Sequence, residues 1–408
     1  MARLILFDAD VRQHLLPLTY SRPVGDLRIG LLTIREKWER HLGLSGSFLT
    51  QDYLEALFPL EYDDHNLLIN GNILPTAGIV ALVLDLLPGE AYLKNGELVA
   101  ACLDRAAVEA LAQDQDFGEV QAFDLGNQPL LTIREPADIF AQNALAIRED
   151  YVLLTAGQSS APLSPSNVLI GPAENLFLEE GVKLEACFLN VEDGPIYISR
   201  GAIVLEGSML RGPLGIGEET LVKMGAKIYG GTTLGPHCRA GGEINNVVMQ
   251  GNSNKGHDGF LGNAVIGEWC NLGADTNASN LRNDYGNVKV WSYTAKGMID
   301  TGRQFHGLVM GDHAKAGINT MFNTGTVVGF SANVFGAGFP PAFIPSFSWG
   351  GAEGFETYRP DKAMETAERV MARREKAFTE VHRALFAAVF AESAEFRGKE
   401  YRGKGGKE

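Results

Sequence analysis

The chain has 408 residues, 45% hydrophobic and 21% charged, enough for two or three domains with their own cores. A net charge of −15 argues against a nucleic-acid partner, which needs clustered Lys and Arg, and Cys102, Cys187, Cys238 and Cys270 lack the spacing of a zinc site or a disulfide framework. No signal peptide precedes the first strand and no apolar run reaches membrane-spanning length, so a cytoplasmic protein without membrane contact is expected. The first predicted element is an apolar strand over residues 4–7, followed by a polar turn. Such turns bind phosphate where glycines leave backbone N–H groups open. Here no glycine precedes Gly25, and Asp8 and Asp10 stand in the turn, either as turn residues or as ligands.

Residues 30–43, GLLTIREKWERHLG, read as an amphipathic helix ending at Gly43. Residues 89–103 read as a hairpin about an Asn-Gly turn. Residues 136–148 read as a helix, and the Ser/Pro/Gly-rich 156–167 as a linker. This first domain, residues 1–155, resembles sugar nucleotidyltransferases, whose first strand leads into LAAGxGTRLxPLT. Residues 7–19, FDADVRQHLLPLT, fall on that template without a gap, agreeing at Leu15, Pro17, Leu18 and Thr19. The template glycines become Asp10 and Arg12, and its arginine becomes His14. The resemblance implies an α/β (Rossmann-like) fold and a nucleotide site in which Arg12, Arg22 and Arg28 replace backbone amides as phosphate donors. The family aspartate that binds Mg2+ falls on Asn72, within 67–75 (LLINGNILP), so the metal ligands are expected among Asp8, Asp10 and Asn72. The alternative is an inactive loop retained for packing.

From Ile198 every sixth residue is aliphatic: Ile198, Val204, Leu210, Ile216, Val222, Ile228, Leu234, Ala240. Four residues after most of them sits a small residue, among them Ala202, Ser208, Thr220 and Cys238, and the phase resumes at Phe260 and at Met310. Neither a helix nor a plain strand repeats every six, whereas a parallel β-helix does. Residues 168–345 resemble the left-handed β-helix of hexapeptide-repeat acyltransferases, and that resemblance implies a homotrimer with active sites between subunits.

The phase slips between Ala240 and Phe260 and again after Thr276, and solenoid insertions map to surface loops, often on the binding face. Residues 241–286 resemble the acetyltransferase domain of the bifunctional (GlmU type) enzymes that make UDP-N-acetylglucosamine, with Gly256, His257, Leu261, Gly262, Asn271 and Asn280 on matching letters. The resemblance implies His257 as catalytic base, Glu243 as its orienting carboxylate and Asn271 at the sugar. It also implies acetyl-CoA contacts from Asn280, with Tyr285 in the same loop. A family tyrosine is Phe260 here, a lysine falls on Asn245 and an arginine on or near Tyr229, so Lys227, Arg239 and Lys255 are the candidate cations for a sugar phosphate.

Residues 346–408 are expected to hold a loop, one helix over about 361–390 with Val370, Phe378, Val381, Leu385 and Val389 as its docking stripe, and a disordered basic tail. The chain resembles a divergent bacterial branch of the bifunctional family. This implies acetyl transfer from acetyl-CoA to glucosamine-1-phosphate, then uridylyl transfer from UTP to the product with Mg2+. The rival expectations are a single acyl or nucleotidyl transfer on another sugar phosphate, or a non-catalytic nucleotide- or sugar-sensing subunit.

Overall fold

A computed structural model describes residues 2–113, 115 and 118–397, which divide into two compact units. The first comprises the chain up to Leu15, Ser21–Leu27 and Leu32–Glu135; the second takes Leu16–Tyr20, Arg28–Leu31 and everything from Pro136 onward. This differs from a boundary at 155. The helix Pro136–Thr155, longer than expected, belongs to the second unit, as do two short pieces of the opening segment.

In the first unit, six strands form a mixed sheet in the order Gly46–Leu49, Ala2–Phe7, His65–Asn70, Glu97–Asp104, Glu90–Lys94, Gln121–Asp124. Ala2–Phe7 lies one strand in from an edge and is parallel to both neighbours, and Leu4, Ile5 and Leu6 are buried. The expected helix is Ile34–Leu42, started by a Thr33–Glu36 capping box and stopped by Gly43 in the left-handed region, φ 67°. Its Trp38 Nε1 donates to the Ile73 carbonyl, 2.8 Å. The hairpin turns at Asn95 and Gly96, both at positive φ as a two-residue turn requires.

The second unit is a three-sided parallel β-helix. Val204 pairs with Val222 and Val222 with Ala240, so a regular coil takes eighteen residues, three hexads. One ladder runs through Phe188–Asn190, Met209–Arg211, Lys227–Ile228 and the start of Glu243–Gly251. A second runs through Ile196–Ile198, Leu214–Ile216 and Thr232–Leu234. The third holds Ile203–Val204, Leu221–Val222, Arg239–Ala240, Asn254–Lys255 and Asn271–Leu272. All eight aliphatic positions of the first hexad run are buried, and the small residues at the fixed offset fill the corners. Corner hydroxyls satisfy corner carbonyls: Ser208 Oγ donates to the Leu205 and Lys223 carbonyls, 2.7 and 3.0 Å.

The sequence expected a linker at 156–167, but these residues cap the first coil. Ala161 N donates to the Leu178 carbonyl, Asn167 Nδ2 to that of Leu184, and Leu163 packs on the core. The single expected C-terminal helix is two, Pro360–Ala372 and Glu380–Glu392, separated where Glu375 takes φ 56°. Ala363, Ala367, Met371, Leu385, Phe386 and Val389 form the buried stripe. The expected disordered tail lies outside the described residues from 398 onward. Arg397 itself packs its guanidinium 3.9 Å from the Phe390 ring centroid.

Candidate functional site

In the first unit, a cavity of about 510 Å³ opens at the carboxyl ends of Ala2–Phe7 and His65–Asn70, where open α/β sheets bind ligands. Asp10, His14, Asn70, Asn72, Glu97 and Arg134 supply its polar lining. Asp10 is exposed at the start of the one-turn helix Val11–His14, and its side chain caps nothing. Arg134 pairs with Glu97 at 3.0 Å.

The three arginines expected to hold phosphate are used by the fold. Arg12 is buried, donates to the Tyr53 hydroxyl at 2.5 Å and lies over its ring. Arg22 is buried and faces Asp26 at 3.7 Å. Arg28 lies in the second unit, where its Nε donates to the Gln250 carbonyl at 3.2 Å and its Nη1 to that of Leu31 at 2.6 Å. Asp8, also expected as a metal ligand, lies outside the cavity lining. Its two carboxylate oxygens accept from Val24 N at 2.8 Å and from the Thr50 hydroxyl at 2.6 Å. Burial pushes the Asp8 carboxyl up, against these hydrogen bonds. Asp10 and Asn72 do line the cavity. Among the described residues no three His, Cys, Asp or Glu side chains gather as a metal cluster.

In the β-helix, His257 is exposed on the corner between Asn254–Lys255 and Phe260–Glu268. That corner lies against Gly242, where a Cβ would come within 2.8 Å of the His257 and Gly259 carbonyl oxygens. Glu243 N donates to the Gly259 carbonyl at 3.2 Å, and Glu243 stacks beside Phe260 and Lys227 in one ladder. The structure therefore brings His257, Glu243 and Lys227 to one corner region, with no hydrogen bond between the His257 imidazole and Glu243. Next to them on the same ladder lies a shallow, mostly apolar groove of about 360 Å³, lined by Phe188, Met209, Lys227 and Tyr229.

Lys255 is corrected as an acceptor-binding cation. It is 0% exposed and points into the core below Ala240, with its Nζ donating to the carbonyls of Gly241, His257 and Asp258 at 3.2, 2.5 and 3.2 Å. Asn271 lies on the third ladder, where Asn254 Nδ2 donates to its Oδ1 at 3.3 Å and Arg374 Nη2 donates to Asn254 Oδ1 at 2.9 Å. It is not on the ladder of Glu243. Asn280 Nδ2 donates to Asn263 Oδ1 at 2.7 Å, and Tyr285 is exposed on the insertion.

Residues 4–159 match the family model described as sugar nucleotidyl transferase. The segment is a sugar nucleotidyl transferase domain. Curated relatives include the bifunctional protein GlmU of Methanocaldococcus jannaschii, 34% identical over 87 residues, 21% of each chain. Another is a bifunctional sugar-1-phosphate nucleotidylyltransferase/acetyltransferase of Sulfurisphaera tokodaii, 38% identical over 90 residues, 22% of this chain and 21% of the relative. The chain thus spans about a fifth of the length of the curated relatives it matches. Solved structures similar to it include the polySia-specific acetyltransferase NeuO, at 12% identity and TM-score 0.28 over 52% of this chain and 94% of that one. An Arabidopsis UDP-N-acetylglucosamine acyltransferase gives 14% and 0.24 over 59% and 98%. Scores this low carry no argument, and the β-helix rests on its own strand register.

In the nucleotidyltransferase domain, sequence reasoning missed Glu97, Arg134 and Asn70. They come from the hairpin, the end of the domain and the strand His65–Asn70, and only the folded sheet brings them together. His14 was visible as the residue on the template's arginine but was assigned no role.

Proposed function

We propose that the chain is a two-domain transferase of sugar-nucleotide biosynthesis, acting in the cytoplasm as a homotrimer. Its β-helix moves acetyl from acetyl-CoA to the amine of glucosamine-1-phosphate, and its nucleotidyltransferase domain joins the product to UTP, releasing pyrophosphate. The observation that carries the first half is His257, an exposed imidazole on a corner closed by backbone packing, beside Glu243 and Lys227. The amine nitrogen attacks the thioester carbonyl, the C–N bond forms, and the C–S bond breaks with the electron pair leaving on sulfur. Neutral His257 takes the amine proton and returns it to the departing thiolate. Exposed Lys227 meets the sugar phosphate, and Asn280 and Tyr285 lie on the insertion proposed to meet the acetyl donor.

The second half rests on the family match and the cavity. A Mg2+ ion takes one or two protein carboxylates and completes its shell with water and substrate phosphate. The cavity's donor set fits: Asp10 and the Asn72 amide oxygen would hold it, where it would neutralise phosphate charge. Arg134 supplies the protein's own positive charge at the triphosphate, with His14 beside it in the lining. A second reading, nucleotide binding without transfer, is favoured by the burial of Arg12 and Arg22. Incubation with acetyl-CoA, UTP and glucosamine-1-phosphate separates the two by product mass. UDP-N-acetylglucosamine supports the full reading, N-acetylglucosamine-1-phosphate alone supports the second, and unchanged substrates overturn both.

A further inference from the structure

At the corner between the third and first ladders, each coil places a small residue directly before the first-ladder strand, without a hydroxyl at Ala226 and Gly242. Ser208, Thr276 and Thr320 occupy it, and each hydroxyl donates to the carbonyl three residues earlier: Leu205, Gly273 and Gly317. Ser208 and Thr276 each reach a second corner carbonyl, that of Lys223 or Gly317. The chain around His257 departs from this in two ways. The coil that leads into it is short, since Ala240 pairs with Lys255 only fifteen positions on. Its corner position is Gly259, at φ 112°, where a Cβ would lie 2.2 Å from the Thr276 carbonyl oxygen. Glycine has no hydroxyl, so the corner carbonyls need another donor.

Lys255 is that donor. It occupies the inward column otherwise held by Val204, Val222, Ala240, Leu272 and Ala316. An ammonium has three donors and no acceptor. All three meet carbonyls, and two of those belong to His257 and Asp258. A buried charge is expensive unless it is fully hydrogen-bonded, and an aliphatic residue would fill this column without that penalty.

We propose that Lys255 is the positioning residue of the His257 corner, its buried ammonium fixing the backbone that presents the imidazole. The inference rests on His257 being the base of the proposed acetyl transfer. Burial also holds the ammonium down at about 8, with Asp258 and Asp275 acting in the opposite direction. Lys223 and Arg239 are the other charges close to this corner, near Gly256. Deprotonation removes one of the three donors, so the corner should loosen above pH 8.

The test is hydrogen–deuterium exchange over residues 254–262 together with acetyl-transfer kinetics, on the full-length protein. Lys255→Met keeps the length of the side chain and restores an apolar column. Exchange of the corner is expected to quicken by about tenfold or more, and kcat to fall about 10–100-fold with KM for acetyl-CoA within about twofold. Lys255→Gln, which keeps two donors, should recover part of the protection. Lys315→Met removes a half-buried lysine of the same ladder, one that donates to the His313 carbonyl at 2.8 Å, and should leave the 254–262 corner unchanged. Unchanged corner exchange in folded Lys255→Met protein overturns the proposal. If neither Lys255 variant folds, exchange in the unaltered protein decides. Corrected for the intrinsic rate, it should accelerate over 254–262 between pH 7 and 9, and a flat profile overturns the proposal. Faster exchange in a protein that transfers no acetyl group keeps the role of Lys255 in the corner and overturns His257 as the base.

Discussion

The two candidate sites use charged residues in opposite ways. At the nucleotidyltransferase cavity, the charges that stand out in the sequence, Asp8, Arg12 and Arg22, are drawn inward and hold the turn together, leaving Asp10, His14 and Arg134 to face the cavity. At the β-helix corner, the conspicuous His257 stays outside and its neighbour Lys255 goes in. A charge near a site is therefore no guide to its task. A buried, saturated charge builds the backbone, and an exposed one is left for the ligand.

The sharpest way to break this division is His257→Ala. Acetyl transfer should fall by about 10²–10⁴-fold. The free energy of unfolding should stay within about 0.5 kcal/mol, because the side chain is exposed. Uridylyl transfer to preformed N-acetylglucosamine-1-phosphate should be unchanged in the same assay. Full acetyl transfer by the folded variant would remove the exposed half of the comparison.

The buried half predicts acid sensitivity. Burial holds His306 down at about 4, partly opposed by the Gly307 carbonyl. The unfolded chain binds a proton near the ordinary imidazole value of about 6.5, while the folded chain refuses it until about 4. Stability present above pH 6.5 should therefore fall as the pH drops to 4, by on the order of 3 kcal/mol, and stop falling below that. Urea unfolding at pH 6.5 and 4.5 should show this slope, flattened in His306→Gln.

Two paired substitutions sharpen the division at the nucleotide cavity. Arg134→Ala should weaken UTP binding by about 1.5–3 kcal/mol by calorimetry at little cost in stability, and Arg12→Ala should do the reverse. Asp8→Ala should cost about 1–3 kcal/mol of stability by leaving Val24 N and the Thr50 hydroxyl without their acceptor. Asp10→Ala should leave the free energy of unfolding within about 0.5 kcal/mol and act only on nucleotidyl transfer. Equal effects within either pair would show that burial does not sort these residues.

Periodic features were legible in the sequence and singular ones were not. The hexad positions from Ile198 to Ala240 are all inward, because a six-residue side repeated three times admits only one phase. Gly43 marked the end of a helix that the structure stops there, whereas its start lies behind the Thr33 cap at Ile34 and not at residue 30. The corner histidine was visible through its neighbours Gly256, Leu261 and Gly262. The inward turn of Lys255 was hidden, because a three-residue shortening of one coil changes which residue faces the core, and a hydrophobicity pattern reads lysine as surface. The tasks of Arg12, Arg22 and Arg28 were hidden for a related reason. Their partners Tyr53, Asp26 and Gln250 are set by tertiary packing, and a phosphate template assigns them to a ligand.

The segment Arg28–Leu31 imposes an order on biosynthesis. Gly30 accepts from the Thr233 hydroxyl, 203 residues downstream, and Arg28 exchanges hydrogen bonds with Gln250, 222 residues downstream. A ribosome adding 5–20 residues per second delivers Thr233 about 10–40 s after Gly30. Through that interval the opening segment waits with its final acceptors and donors unmade, shielded only by solvent or a chaperone. A segment made long before its partners is thus finished only with them, and a nascent chain halted before the middle coils would carry this segment unsettled.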